Sequence, residues 1–316
     1  MADLIAIGEA LVELNQPRDG APFVQGFGGD TSNAMIAAAR LGADAAYFTA
    51  VGADRFGQAL TELWLREGVD ASGIVVNGGA HTGLYFVTHS ETGHEFSYMR
   101  AGSAASRVGE ADLPVDRIRD TKILHLSGIS QAISSSAADA VFAAIDIARD
   151  AKRLVSYDPN FRPKLWPLRR AKAIIHEAMR ACDIALPGLD DAEALTGLRD
   201  PDAIASFYLE LGARVVVVKM GRGGALAATP NDRERIYPQP AKAVDATGAG
   251  DCFDGAFLAE YVMLGDPFAA ARFANAAASL STLGYGAVAP LPRRAEVERA
   301  MAGAPGGARS AGRRKI

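Results

Sequence analysis

The segment Asp245-Ala246-Thr247-Gly248-Ala249-Gly250-Asp251 brings together the residue types that phosphoryl transfer needs. Gly248, Ala249 and Gly250 carry almost no side chain, so a ligand can approach their backbone closely. A helix is expected to start here, because Phe253, Phe257 and Tyr261 recur every four residues and make one face apolar. The unpaired N–H groups of a helix start form an anion site. A carboxylate at the edge of such a site, as Asp251 is, is costly for a simple anion binder. It makes sense if Asp251 takes a proton from a hydroxyl while the turn holds a phosphate. The plainer reading, a glycine turn with an aspartate capping the helix, weighs about equally for Gly-x-Gly-Asp alone.

Four further sites could serve the same chemistry. Gly28-Gly29-Asp30-Thr31-Ser32-Asn33 precedes the alanine-rich helix expected over Ala34–Leu41, and Asp30 and Asn33 could bond sugar hydroxyls. The same residues also suit a glycine turn with a helix cap. Lys219-Met220-Gly221-Arg222-Gly223-Gly224 follows a four-valine strand and could meet a nucleotide, or simply close a hairpin to Ala225. It is not a P-loop, since it lacks Gly-Lys-Ser/Thr. Tyr85, Tyr98, Arg100 and Arg162 could line a substrate pocket, with Tyr98 and Arg100 on one face of a strand. Two arginines in one pocket suit an anionic group, although a lone surface arginine is usually just solvated. Asp191, after Pro187-Gly188, could hold Mg²⁺ through water or merely begin a helix.

The elements that must position these residues alternate from Lys122 onward. Strands are expected at Lys122–Leu126, Leu154–Tyr157, Asp183–Leu186 and Arg214–Lys219. Helices are expected at Ser135–Arg149, Leu168–Ala181, Asp190–Leu195 and Pro201–Leu211. Such alternation predicts a parallel sheet with helices on both sides. Two long helices, Asp251–Met263 and Pro267–Leu283, follow, parted by the stop-and-restart signal Gly265-Asp266-Pro267. The first third differs. Leu4–Leu14 reads as one strand continuing past Gly8, and Leu84–Thr88 and Glu95–Arg100 as a hairpin turning at Glu91-Thr92-Gly93-His94. A small β flap built from Glu9–Phe27 and His81–Arg100 is expected over the carboxyl edge of the sheet, where ligands of open α/β sheets bind. Leu84, Phe86 and Phe96 would give it an apolar face able to pair with a second copy, making a homo-oligomer.

Composition narrows the function classes. A net charge of -4 over 316 residues leaves no nucleic-acid footprint. No apolar run is long enough to cross a bilayer and no leader pattern is visible, so a cytoplasmic protein is expected. Cys182 and Cys252 lie in apolar settings and read as buried free thiols, and no metal-ligand spacing suggests structural zinc. One domain over residues 1–302 is expected, with 303–316 a disordered basic tail.

In this order, the motifs resemble those of the ribokinase-like (PfkB-type) carbohydrate kinases, and the resemblance runs from Leu4 to about Pro292. Its two signatures are the glycine-rich segment 28–41 and Asp245–Asp251, the second rare outside that family. The resemblance implies a Rossmann-like three-layer α/β/α sandwich with a β-strand lid, and ATP-dependent phosphorylation of a sugar hydroxyl. It implies Asp251 as general base and Gly248, Ala249 and Gly250 as the anion hole. Within the family, Gly28–Asn33, Tyr98–Ala105 and Asp158–Trp166 are most similar to the 2-keto-3-deoxygluconate kinases. That similarity implies a sugar-acid site of Gly29, Asp30, Asn33, Tyr85, Tyr98, Arg100 and Arg162. It implies ATP contacts at Asn160, Lys219, Gly221, Gly223, Gly224, Gly248, Gly250 and Asn275, with Mg²⁺ as cofactor. Asp245 and Thr247 match positions that hold a monovalent cation such as K⁺ in some relatives. The family's Asn-x-x-Glu becomes Gly188 and Asp191 here, so the amide is lost and the carboxylate shortened. A neutral-sugar kinase such as a fructokinase, or a non-catalytic sensor on the same fold, are the alternatives; the intact Asp251 argues against the sensor.

Overall fold

The computed structural model of the protein describes residues 2–16, 18–90, 93–238, 242–303 and 313–315. Its main sheet has nine strands, in the order 314–315, 232–236, 225–228, 215–219, 184–185, 154–158, 123–127, 4–7 and 45–48. The six from Val215–Lys219 to Ala45–Phe48 are parallel. The other three, 225–228, 232–236 and 314–315, are antiparallel, so the expected all-parallel sheet holds only up to Lys219. The reason is local: Lys219–Gly224 makes a tight hairpin, and an antiparallel neighbour needs no crossover helix.

Both faces of the sheet are covered. One carries helices Asp30–Arg40, Arg55–Glu67, Ala249–Leu264 and Pro267–Ser281, with Trp64, Met35 and Phe257 fully buried beneath them. The other carries Ser135–Asp150, Leu168–Arg180 and Pro201–Leu211 over Tyr157, Ile175 and Tyr208. The strands read as nearly unbroken apolar runs, Val215–Val218 above all, because each is buried on two sides. Expected start and stop signals operate as such. Gly265 ends one helix in the left-handed conformation, and Asp266 caps the next by accepting from the N–H groups of Phe268 and Ala269.

A separate four-stranded sheet forms the lid, ordered Val24–Gly28, Leu11–Gln16, Leu84–Ser90 and Gly93–Met99. The single strand expected over Leu4–Leu14 is therefore two, Leu4–Ile7 in the main sheet and Leu11–Gln16 in the lid. Gly8 makes the transfer, where any Cβ would collide with Thr31 Oγ1. The expected lid hairpin is present, but residues 91–92 of its turn lie outside the described residues. Leu84, Phe86 and Phe96 are partly buried rather than exposed; on the lid's edge strands it is Val24 and Met99 that stand in solvent.

The expected disordered tail also differs from the structure. Gly303 closes the helix Arg294–Gly303, and Arg314–Lys315 pairs with the strand Asp232–Ile236. Charge draws it there: Arg313 lies 2.5 Å from Asp266 and over the Phe268 ring, and Arg314 meets Asp202. Residues 304–312 of that tail lie outside the described residues.

Candidate active site

A cleft of about 900 Å³ opens between the lid and the carboxyl ends of the parallel strands. Gly29, Asp30, Asn33, Tyr85, Tyr98, Arg100, Asn160, Arg162, Asp191, Lys219, Gly221, Thr247, Gly248, Gly250 and Asp251 all border it. Residues separated by more than two hundred positions thus meet at one sheet edge, as open α/β topology requires. Gly223, Gly224, Asp245, Ala249 and Asn275 are not among the lining residues.

The base candidate is well defined. Gly248 adopts φ +74° and caps the helix Ala249–Leu264, and as a glycine it offers no side chain to the N–H groups of the helix start. A Cβ on Gly248 would stand 2.9 Å from Ala287. Asp251, in the first turn, accepts a 2.8 Å hydrogen bond from Asn33 Nδ2. Burial, then the nearby Asp30 carboxylate, push its pKa up to about 7. The two helices that carry Asn33 and Asp251 approach closely because Gly255 has no Cβ, which would collide with the Ala34 carbonyl. Asp30 is itself fixed, accepting 2.8 Å from Asn160 Nδ2. Asn160 holds a left-handed backbone at φ +33° to do so, and therefore faces the sugar-side residues rather than only a nucleotide. Asn33 Oδ1 is buried with no hydrogen-bond partner among the described residues.

Several expected roles change when the side chains are placed. Arg100 lies 2.5 Å from Glu9, whose other oxygen accepts 2.6 Å from Ser103 Oγ, so its charge is already paired. Burial raises the Glu9 pKa while Arg100 opposes it. Arg162 differs: it is exposed, donates only to the Phe161 carbonyl at 3.2 Å, and has no ion pair among the described residues. Tyr85 gives its hydroxyl to Glu13, and its ring stacks on Tyr98 at 5.8 Å. Lys219 spends its ammonium on Asp158 and Asp254 rather than projecting into the cleft. Gly223 and Gly224 serve the hairpin, since a Cβ on Gly224 would collide with the Ile236 carbonyl. Asn275 pins the Tyr237 carbonyl at 2.9 Å. Asp245 accepts from Thr247 N–H and hydroxyl at 2.9 and 2.7 Å and from Gly286 N–H at 2.9 Å, which shapes the turn entering the cradle.

The residues not anticipated are Glu9, Asp158 and Asp254. Each is an acid set in an apolar stretch, and that incongruity was the readable signal.

The model of the pfkB family carbohydrate kinases matches residues 1–294. The chain belongs to that family. Among its relatives, this kinase is 36% identical to a 2-dehydro-3-deoxygluconokinase of Thermoproteus tenax, over 94% of each chain. It is 33% identical to fructokinase-1 of Oryza sativa, over 94% of this chain and 97% of that one. Its fold follows that of an E. coli protein described as a putative ribokinase II, solved with ATP and Mg²⁺, with TM-score 0.88 and 28% identity over 96% and 99% of the two chains. The kinase is thus a ribokinase-like α/β protein with a separate β lid, and an ATP-dependent sugar kinase by family. Among the described residues no helix is long and apolar enough to cross a membrane.

Proposed function

We propose that this kinase transfers the γ-phosphoryl group of ATP to the terminal hydroxyl of an acidic sugar, 2-keto-3-deoxygluconate, giving the 6-phosphate. Arg162 carries the reading: an exposed guanidinium at the cleft, without an ion pair among the described residues, matches a substrate carboxylate. The unpartnered Asn33 Oδ1 suits a sugar hydroxyl, as do Asp30 and the Gly29 turn beside it. The similarity to the T. tenax enzyme supports the same substrate class.

In this mechanism Asp251 accepts the proton of the attacking hydroxyl, its oxygen bonds to the γ-phosphorus, and the bond to the bridging oxygen breaks to release ADP. Gly248 and Gly250 offer backbone N–H groups to the charge that develops on the transferring group, while the Ala249 N–H already donates to the Ala246 carbonyl at 3.1 Å and shapes the turn. Asn33 orients the Asp251 carboxylate by holding one of its oxygens. Gly221 and Arg222 edge the cleft on the nucleotide side, while Gly223, Gly224 and Asn275 shape that side from behind. Mg²⁺, when bound with the nucleotide, neutralises phosphate charge, and Asp191 is the carboxylate placed to help hold it. Among the described residues no group of three or more His, Cys, Asp or Glu side chains gathers to hold a metal ion. The turn around Asp245 and Thr247, rich in oxygens, is the place for a monovalent cation such as K⁺.

A fructokinase is the second reading. Glu9 neutralises Arg100, leaving one unpaired arginine where an acid site was expected to have two. A coupled ADP-release assay over 2-keto-3-deoxygluconate, its galactonate epimer, fructose and ribose separates the readings. Losing a charge partner that the bound substrate buries costs about 2–5 kcal/mol, so Arg162→Ala should cut kcat/KM for the acid at least about thirtyfold and spare neutral sugars. Equal loss on both would assign a neutral substrate. The solvent-exposed edge residues Val24 and Met99 support self-association through the lid, and a monomeric mass in sedimentation would rule it out.

A further inference from the structure

Asp254 lies one turn beyond Asp251 on the same helix and is 1% exposed. Lys219 Nζ donates to its two oxygens at 2.8 and 2.9 Å and to Asp158 Oδ2 at 3.0 Å, so each ammonium proton has an acceptor. A Cβ on Gly250 would stand 3.8 Å from that nitrogen, which places the ammonium immediately under the glycine cradle. The contacts continue outward from Asp158. Asn160 N–H donates to its Oδ1 at 3.1 Å, and Asn160 Nδ2 donates to Asp30 at 2.8 Å. A lysine enclosed in this way cannot reach a phosphate without stranding two buried acids, which is strongly unfavourable.

We propose that Lys219, locked by Asp254 and Asp158, is a positioning residue and not a nucleotide ligand. It braces the floor beneath Gly248–Gly250 and, through Asp158 and Asn160, keeps Asp30 in register with Asp251. The inference rests on Asp251 being the base and adds the unit that holds it in place. The cluster sets one ammonium between two buried carboxyl groups. Burial pushes the Asp254 carboxyl up, the Lys219 field holds Asp158 down, and both acids keep Lys219 protonated. Both Asp254 oxygens accept from Lys219, so an asparagine would keep the shape and one of the two acceptors.

The charged and titratable groups that face Asp251 are Asp30 from the Asp30–Arg40 helix, Lys219 and Asp158 from the strand ends, Tyr85 from the lid, and Cys252 and Asp254 from its own helix. Lys219 is the cation of the set, and it lowers the Asp251 pKa.

The test uses the full-length enzyme and compares Asp254→Ala, Asp254→Asn and Lys219→Met for kcat, KM for ATP, ATP dissociation constant and the pH profile of kcat/KM. Asp254→Ala should lower kcat about tenfold or more with KM for ATP within about threefold, and Asp254→Asn, which keeps one acceptor, should recover part of the loss. Lys219→Met should move the acidic limb upward by about one pH unit while ATP binding stays within about threefold. Loss of ATP affinity beyond about tenfold with an unmoved limb would make Lys219 a nucleotide ligand and overturn the proposal. A kinetically silent Asp254→Ala would overturn it too, and that variant decides the matter if Lys219→Met fails to fold. Failure of the base assignment itself would show separately, as near-normal turnover in Asp251→Asn.

Discussion

Replacing Asp251 by asparagine should make this kinase nearly inactive and, above neutral pH, more stable. The side chain sits where burial and Asp30 both oppose its negative charge, raising its pKa from the ordinary 3.8 to about 7. That difference corresponds to an upper bound of about 4 kcal/mol against the ionised folded protein. Asp251 keeps one side open to the cleft, and solvent there screens part of the effect, so about 2 kcal/mol is the expected gain. The sign follows from linkage. A carboxyl raised on folding binds its proton more tightly in the native state, so wild-type stability falls as pH climbs from about 4 through 7. The amide introduced by Asp251→Asn has no proton to lose, and its oxygen can still accept from Asn33 Nδ2, now 2.8 Å from Asp251. Urea unfolding of both proteins at pH 4, 6 and 8 measures the gap: none at pH 4, widening to its full value at pH 8. Turnover in the same preparations should fall about 10²–10⁴-fold with ATP binding retained. Equal stability at pH 8 would refute the electrostatic account of the site, and near-normal turnover would refute the base.

The remaining expectations concern neighbouring residues. In pH profiles of kcat/KM the activity should rise as Asp251 deprotonates and level off above about pH 7; a profile flat from pH 5 to 8 would mean another group accepts the proton. Gly255→Val should separate the two helices that carry Asn33 and Asp251, costing about 1–3 kcal/mol of stability and at least about tenfold in kcat; a fully active variant would show the helix contact to be unimportant. Glu9→Gln should release Arg100 from a charge pair and lower KM for acidic sugars about threefold while leaving fructose unchanged, and a shift of equal size for both would place Arg100 outside the substrate site.

Much of the architecture could be read from residue order alone. The alternating segments after Lys122, the capped restart at Asp266 and the cradle at Gly248–Gly250 all depend on local chemistry, which a linear pattern carries. What escaped the reading was the choice of partner. Arg100 and Arg162 look alike as isolated arginines, yet one meets Glu9 across the lid stem and the other faces the cleft. Lys219 looks like a phosphate ligand until Asp254, thirty-five positions later, accepts two of its hydrogen bonds. The break at Gly8 was equally hidden, because residues on either side keep the apolar pattern of one strand while belonging to different sheets. The basic tail shows the converse: its composition suggests disorder, but Asp202 and Asp266 supply fixed acids that its arginines meet.

Glu9 has a position that reaches beyond substrate choice. The lid strand Leu11–Gln16 starts two residues after it, and the strand Val24–Gly28 ends at Gly29, whose missing Cβ would stand 2.5 Å from the Glu9 carbonyl. Leu84–Ser90 starts beside Gly83, whose Cβ would lie 2.9 Å from Glu9 Oε1, and Gly93–Met99 ends at Arg100, its ion-pair partner. All four ribbons of the cover are thereby moored to a single buried post. Losing that side chain altogether would loosen the common root of the cover, whereas glutamine, of the same shape, would leave it in place.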